Sequence, residues 1–272
     1  MSQSNIKASK KHSPFLGILK WVGVLVFWLG VWFALSWKTN NAFLFPSPTE
    51  VLSVLGELVL TAEFWSISMA SLCRVFLGVA LSVLIGVIIA IAISYSKILN
   101  ALASPMLTVI KSTPVASFII LACIWMDTSF LPIFITSLIV IPIVCSNISQ
   151  GFSSIDKNLG EVARIYRFSL PKKVCRLYIP SLAPYFLAAC KSSLGMAWKA
   201  GIAAEVLAPP KNAIGSQLYF AKTYYETSSM FAWTLVIILL SMIFEKLLVG
   251  LIEFIGKRLH VMPKGGDMNV QG

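Results

Sequence analysis

The sequence predicts an all-α membrane protein with six transmembrane helices, both termini on the cytoplasmic side, and a cytoplasmic loop between the fourth and fifth spans. Three observations carry that expectation. Hydrophobic residues make up 57% of the chain and charged residues only 12%, whereas soluble domains carry roughly 25% charged residues. The apolar residues fall in runs long enough to cross a hydrocarbon core of about 30 Å, which takes about 20 helical residues. Lys and Arg gather between alternate runs, the asymmetry that fixes orientation in a bilayer.

The first run extends from Phe15 to Trp37. Lys7, Lys10, Lys11 and Lys20 precede most of it, as cations precede the core of a signal peptide. The run is rich in Trp and Phe and lacks a small-x-small cleavage site, so it reads as a retained span. In the outer segment that follows, Pro46 and Pro48 impose extended or turn geometry, and Ser47 or Thr49 is placed to cap a helix. Val51, Leu52, Leu55, Leu58 and Val59 then recur at helical spacing, which predicts a short helix along the outer surface.

The second run covers Ser66 to Ser96 and the third Ala101 to Met126. Lys111 and Pro114 interrupt the third, which is expected to begin as a tilted or broken helix. The fourth, Phe130 to Ser149, is the clearest, because no charged residue occurs between Thr128 and Ile155. The fifth covers Ser181 to Leu207 and the sixth Ser229 to Ile255. Pro132, Pro142, Pro180 and Pro184 start or kink helices, which spans tolerate where neighbours satisfy the freed backbone groups. One transmembrane domain over 15–260 is expected, preceded by a cytoplasmic segment 1–14 and followed by a flexible tail 261–272.

The formal net charge of +11 does not indicate nucleic-acid binding, because the cations flank apolar spans instead of lining one face of a soluble fold. The five cysteines, Cys73, Cys123, Cys145, Cys175 and Cys190, lack metal-like or disulfide-like spacing and read as small buried apolar residues.

Between the fourth and fifth spans lies a basic, amphipathic island. Ile155, Leu159, Val162, Ala163 and Tyr166 form one apolar stripe at helical spacing, and Asp156 is placed to cap its start. Arg164, Arg167, Lys172, Lys173 and Arg176 surround the stripe with positive charge. Physics alone allows two readings, an interfacial helix held by anionic lipid or a helix that docks a protein.

Glu161, Ala163 and the Ile179-Pro180 ending resemble the "EAA" cytoplasmic loop of ABC-importer permeases. Further residues resemble the nitrate/sulfonate/taurine type of that family: Pro46-Ser47-Pro48-Thr49-Glu50-Val51 in the outer segment, Ser71 to Gly78 at the start of the second span, and Lys111-Ser112-Thr113-Pro114 with Ile124-Trp125 in the third. Leu194 to Trp198 and Ala204 to Leu207 resemble the fifth. Together these cover roughly residues 43 to 256. Two departures stand out. Arg167 occupies the place of the family's usual glycine, so the left-handed turn is expected to be shaped differently or to shift toward Ser169, and a glycine after the third-span tryptophan is replaced near Asp127.

The resemblance implies a translocation subunit that works by alternating access and performs no covalent chemistry. It implies two ABC ATPase subunits docking on the loop (Leu159, Glu161, Val162, Ala163, Arg164, Tyr166, Arg167, Ile179, Pro180), a second permease copy, and an extracytoplasmic solute-binding protein. Glu161 would anchor the loop helix by capping or by a charge pair, and Ala163 would allow close approach. No cofactor is expected. ATP would be bound by the partner only, since no Gly-x-x-x-x-Gly-Lys-Ser/Thr loop occurs here.

Ionisable residues inside spans are functional candidates. Lys191 and Lys199, just over two turns apart, fall on roughly one side of the fifth span, while Glu205 faces elsewhere. Lys199 beside Trp198 suits an anionic or aromatic ligand through charge and stacking. A structural ion pair or snorkelling explains the lysines equally well, and Glu205 equally suits fixing the Ala208-Pro209-Pro210 turn. His12 and His260 lie outside the spans, so an intramembrane enzyme finds no histidine base or metal site. An ion-coupled secondary transporter or channel using Lys199, Glu205 or Asp127 is the competing class.

Overall fold

Small residues decide how the central helices meet in this computed structural model, which describes residues 14–41 and 43–258. Residues 1–13 of the expected segment 1–14, with His12, and residues 259–272, with His260 and the expected tail 261–272, lie outside the described residues. In chain order the helices are α1 (Pro14–Thr39), α2 (Pro48–Val59), α3 (Ala62–Tyr95), α4 (Lys97–Ser112), α5 (Val115–Ala122), α6 (Leu131–Ser153), α7 (Lys157–Ile165), α8 (Leu170–Lys173), α9 (Ile179–Leu207), α10 (Ile214–Thr223) and α11 (Thr227–Arg258). Among the described residues every regular element is helical.

On α3, Gly78, Ser82 and Gly86 recur at every fourth position and are buried. A Cβ at Gly78 would lie 2.9 Å from the Thr136 Cβ on α6, and one at Gly86 would lie 2.9 Å from the Val144 Cβ. Hydrocarbon offers no hydrophobic drive between helices, so close approach of backbones through small residues holds them together. The same device seats α9, where a Cβ at Gly201 would lie 2.7 Å from Val75 of α3 and 3.1 Å from the Thr136 hydroxyl. An adjoining face of α9 meets α11, where Trp198 donates from Nε1 to the Ile237 carbonyl at 3.1 Å and tilts against Phe244. α1 joins the rest near one end, with Trp32 donating to the Pro46 carbonyl and Ser36 to that of Phe45.

The outer helix expected from the proline-rich segment is α2. Its Ser47 and Glu50 exchange side chain-to-backbone hydrogen bonds in a capping box. The third run is broken, as Lys111 and Pro114 suggested, and α4 and α5 meet at 100°. Pro114 donates no hydrogen bond and holds Thr113 extended, at φ −83° and ψ 133°.

Three features differ from expectation. The fifth helical run starts at Leu170, not Ser181, because α8 continues through a π-turn at Val174–Tyr178 into α9. The wider turn, closed by the Ile179 N–H on the Val174 carbonyl, accommodates Pro180, which has no N–H to give. The short helix α10 was not foreseen. Of the cysteines read as buried, only Cys145 and Cys190 are inside, while Cys73, Cys123 and Cys175 are exposed.

Four helices are long and apolar enough to cross a membrane, namely α1, α3, α6 and α11, or five if α4 and α5 make one broken span. α9 has the length, at 29 residues, but carries Lys191, Lys199 and Glu205. The expectation of six spans is therefore met in part. With 34 residues, α3 is about 50 Å long and overshoots a core of about 30 Å. Its two ends carry the two polar regions described next.

Candidate functional site

The first region forms where α3, α4, α6 and α7 converge. Asp156 caps α7, its carboxylate accepting the Asn158 N–H at 2.9 Å, a placement that also suits the positive end of the helix dipole. Of the predicted stripe, only Ala163 is buried. Leu159 and Val162 are nearly half exposed, and Tyr166 is 71% and Ile165 76% exposed. The helix thus covers Ala163 and turns its larger apolar side chains away from the protein. Arg164 and Arg167 are exposed beside them.

Glu161 is also exposed, and neither expected anchoring role appears among the described residues. Asp156 is the cap, and the ion pairs among the described residues are Arg74–Glu205 and Lys191–Glu253. The far end of α7 corrects a second expectation. The left-handed turn is at Arg167 itself, with φ 46°, and does not shift toward Ser169. The Phe168 N–H reaches the Ala163 carbonyl at 2.9 Å and the Arg167 N–H that of Arg164 at 3.1 Å, the paired bonds of a Schellman closure. Lys172 then lies 4.3 Å from the Phe168 ring centroid.

The base of this loop is braced by rings, with Phe152 lying 6.1 Å from Tyr95 and 5.9 Å from Tyr178. An open cleft of about 620 Å³ runs beside them, lined by Lys97, Asn100 and Asp156 among others. Ile179 and Pro180, at the start of α9, are exposed.

The second region lies at the other end of α3. Glu205 is fully buried. Its Oε2 accepts from the Ser71 hydroxyl at 2.8 Å and the Gly215 N–H at 3.1 Å, and its Oε1 pairs with Arg74 at 3.3 Å. Arg74 also donates to the carbonyls of Lys211 and Asn212, while the Ser71 hydroxyl accepts the Ile214 N–H. One carboxylate thereby ties α3, α9 and the first turn of α10 together. Gly215 makes this possible, since a Cβ there would lie 2.4 Å from the Glu205 Cβ. Sequence reasoning singled out Glu205, but gave no such role to Ser71 and Gly215, whose partners lie elsewhere in the chain.

The remaining candidates separate. Lys191 pairs with Glu253 of α11 at 2.8 Å. Trp198 is buried against α11, whereas Lys199 is exposed. Neighbours on a helix point about 100° apart, so Trp198 cannot stack on a ligand held by Lys199, and that pairing is corrected. The exposed face around Lys199 carries Ala188, Ser192 and Met196. It differs from the exposed faces of α1 and α3, which present Leu25, Phe27, Trp28, Leu77, Leu84 and Ile88. Asp127, in the turn between α5 and α6, accepts the Ser129 N–H at 2.8 Å. That hydrogen bond holds its pKa below the ordinary carboxylate value.

The comparisons with known proteins agree on one family. The family model described as "Binding-protein-dependent transport system inner membrane component" matches residues 82–261. A putative aliphatic sulfonates transport permease protein, SsuC of Bacillus subtilis, is 24% identical over 204 residues, covering 71% of this chain and 70% of that protein. A probable ABC transporter permease protein of Brucella melitensis is 26% identical, covering 81% and 89%. The nitrate import permease protein NrtB of Synechococcus elongatus is 30% identical over half of each chain. Among solved structures, the crystal structure of an amino acid ABC transporter with histidines superposes with a TM-score of 0.59 at 20% identity, covering 75% of this chain and 97% of that one, and it supports the fold. The chain belongs to the binding-protein-dependent transport system inner membrane components, the multi-pass and non-catalytic permease subunits of bacterial ABC transporters.

Proposed function

We propose that this permease forms the translocation pathway of an importer for a small oxyanion, and that α7 is the element through which ATPase subunits drive it. The observation that carries the coupling role is the exposure of Leu159, Val162, Ile165 and Tyr166 on a capped helix whose only buried apolar residue is Ala163. A short helix that leaves its large apolar residues uncovered at a loop is built to be covered by another surface. The basic residues around it place this end in the cytoplasm by the positive-inside rule.

On this reading α9 and the broken α4–α5 pair complete six spans, and both termini lie on the α7 side. Two permease copies enclose the pathway, two ATPases dock on residues 155 to 170, and a solute-binding protein delivers substrate at the end carrying α2 and α10. Lys199, on the exposed face of α9 that carries Ala188, Ser192 and Met196, lines the pathway. The relatives named for sulfonate, nitrate and bicarbonate transport share anionic, oxygen-rich solutes, and a positively charged pathway residue fits that class.

The test is co-purification of the detergent-solubilised permease with its cognate ATPase, comparing wild type with the double variant Leu159→Asp/Val162→Asp. Loss of the ATPase from a variant that elutes as the wild type does supports the reading; retention of the ATPase refutes it. Uptake of sulfonate, nitrate and bicarbonate by vesicles holding the assembled importer, with Lys199→Glu as the variant, tests the substrate class.

A further inference from the structure

Among the described residues outside glycine, four adopt a positive φ: Asn40, Arg167, Asn212 and Tyr225. Asparagine enters the left-handed region readily, whereas a long side chain does so at a cost in strain. At Arg167 the backbone makes the two hydrogen bonds of a helix closure that glycine makes without strain. Strain that persists at an exposed position points to use of the side chain. The Arg167 side chain, however, has no hydrogen bond or ion pair to the described residues. It is exposed and follows Tyr166, itself 71% exposed, in the turn that closes α7. Lys172, the next cation along, is occupied over the Phe168 ring.

From these observations we infer that Arg167 is a specificity residue of the docking surface, and that its guanidinium pairs with a carboxylate at the rim of the ATPase groove that receives α7. This rests on the docking of the ATPase proposed above. The apolar residues of α7 supply contact area, which any similar groove accepts. A charge fixed at the end of the helix selects among grooves, because a guanidinium fork matches a carboxylate in two parallel hydrogen bonds and meets a basic rim unfavourably. An anionic bilayer surface is the other acidic surface within reach. The chain belongs to the permease subunits of ABC transporters, whose ATPase is a separate subunit, and Leu159, Val162 and Ile165 lie uncovered on the same short helix, so the protein groove is favoured.

The test uses the full-length permease in nanodiscs of zwitterionic lipid and, in parallel, of lipid containing an anionic fraction, titrated with its cognate ATPase and with an ATPase from another importer at several salt concentrations. Arg167→Gly is expected to leave thermal stability unchanged or raised. It should weaken cognate binding by about fivefold at low salt, as loss of a charge pair at an interface rim does, and flatten the salt dependence. Arg167→Glu should bind more weakly still, and a Lys in place of one rim carboxylate of the ATPase should restore it. Wild-type affinity of Arg167→Gly at every salt concentration would overturn the inference while leaving the docking intact. No binding of the ATPase by the wild type would remove the docking itself. An effect of Arg167→Gly seen only in nanodiscs containing anionic lipid would assign the contact to the membrane and overturn the inference equally.

Discussion

At one end of α3 a carboxylate is fully buried with three donors of its own chain around it; at the other, a helix holds its large apolar side chains and two arginines out in the open. Glu205 satisfies α3, α9 and α10 internally, so this cluster is closed by residues of its own chain. α7 satisfies only its own backbone, through the Asp156 cap and the Arg167 closure, and leaves its side chains to something else. The difference separates polar chemistry that stabilises the fold from polar and apolar chemistry that waits for assembly. Burial alone distinguishes them, because both regions contain charged residues at the ends of the same core helices.

The comparison breaks first at Glu205. Replacing it with Ala leaves Arg74, the Ser71 hydroxyl and the Gly215 N–H without their acceptor, and the loss of a buried ion-pair partner costs about 3–5 kcal/mol. Thermal unfolding in detergent is expected to show that loss, with ATPase binding by the remaining folded fraction unchanged. Gly215→Ala acts on the same cluster by overpacking. The new methyl meets the Glu205 backbone and Cβ at 2.4–2.7 Å, and a cost of about 1–3 kcal/mol is expected from the same melts.

At the other end the effects on stability shrink. Asp156→Ala removes the cap of α7 and should loosen that helix by about 1 kcal/mol, measured as faster amide exchange over 157–165 with the global melting temperature unmoved. Arg167→Gly should shift local stability the opposite way by about 1 kcal/mol, since glycine carries no strain at φ 46°. The double variant Leu159→Asp/Val162→Asp should change stability by less than about 0.5 kcal/mol, because its side chains are nearly half exposed. ATP-driven uptake should nevertheless be lost.

Much of the fold was legible because hydropathy and helix signals are local. The long apolar runs located α1, α3, α6 and α11 to within a few residues, and Ser47 with Glu50 announced the start of α2. Pro114 marked the break between α4 and α5. α10 escaped because ten residues between two longer helices carry too weak a periodic signal, and it is held instead by Gly215 and Ile214 bonding to α9 and α3. At the loop, Asp156 and the apolar stripe were readable, but the closure was not. A left-handed turn without glycine leaves no mark in the sequence, so Arg167 was expected to reshape the turn or to shift it toward Ser169, whereas Arg167 itself makes it. The Glu205 cluster was hidden for a different reason, since Ser71 lies 134 residues and Arg74 131 residues away in the chain.

The contrast between a finished end and an unfinished one is tested most directly by hydrogen–deuterium exchange of the permease with and without its cognate ATPase. The account predicts that binding protects amides 157–168 and leaves 205–216 as they were. Protection confined to 205–216, or no protection at 157–168 when the ATPase is bound, would contradict it.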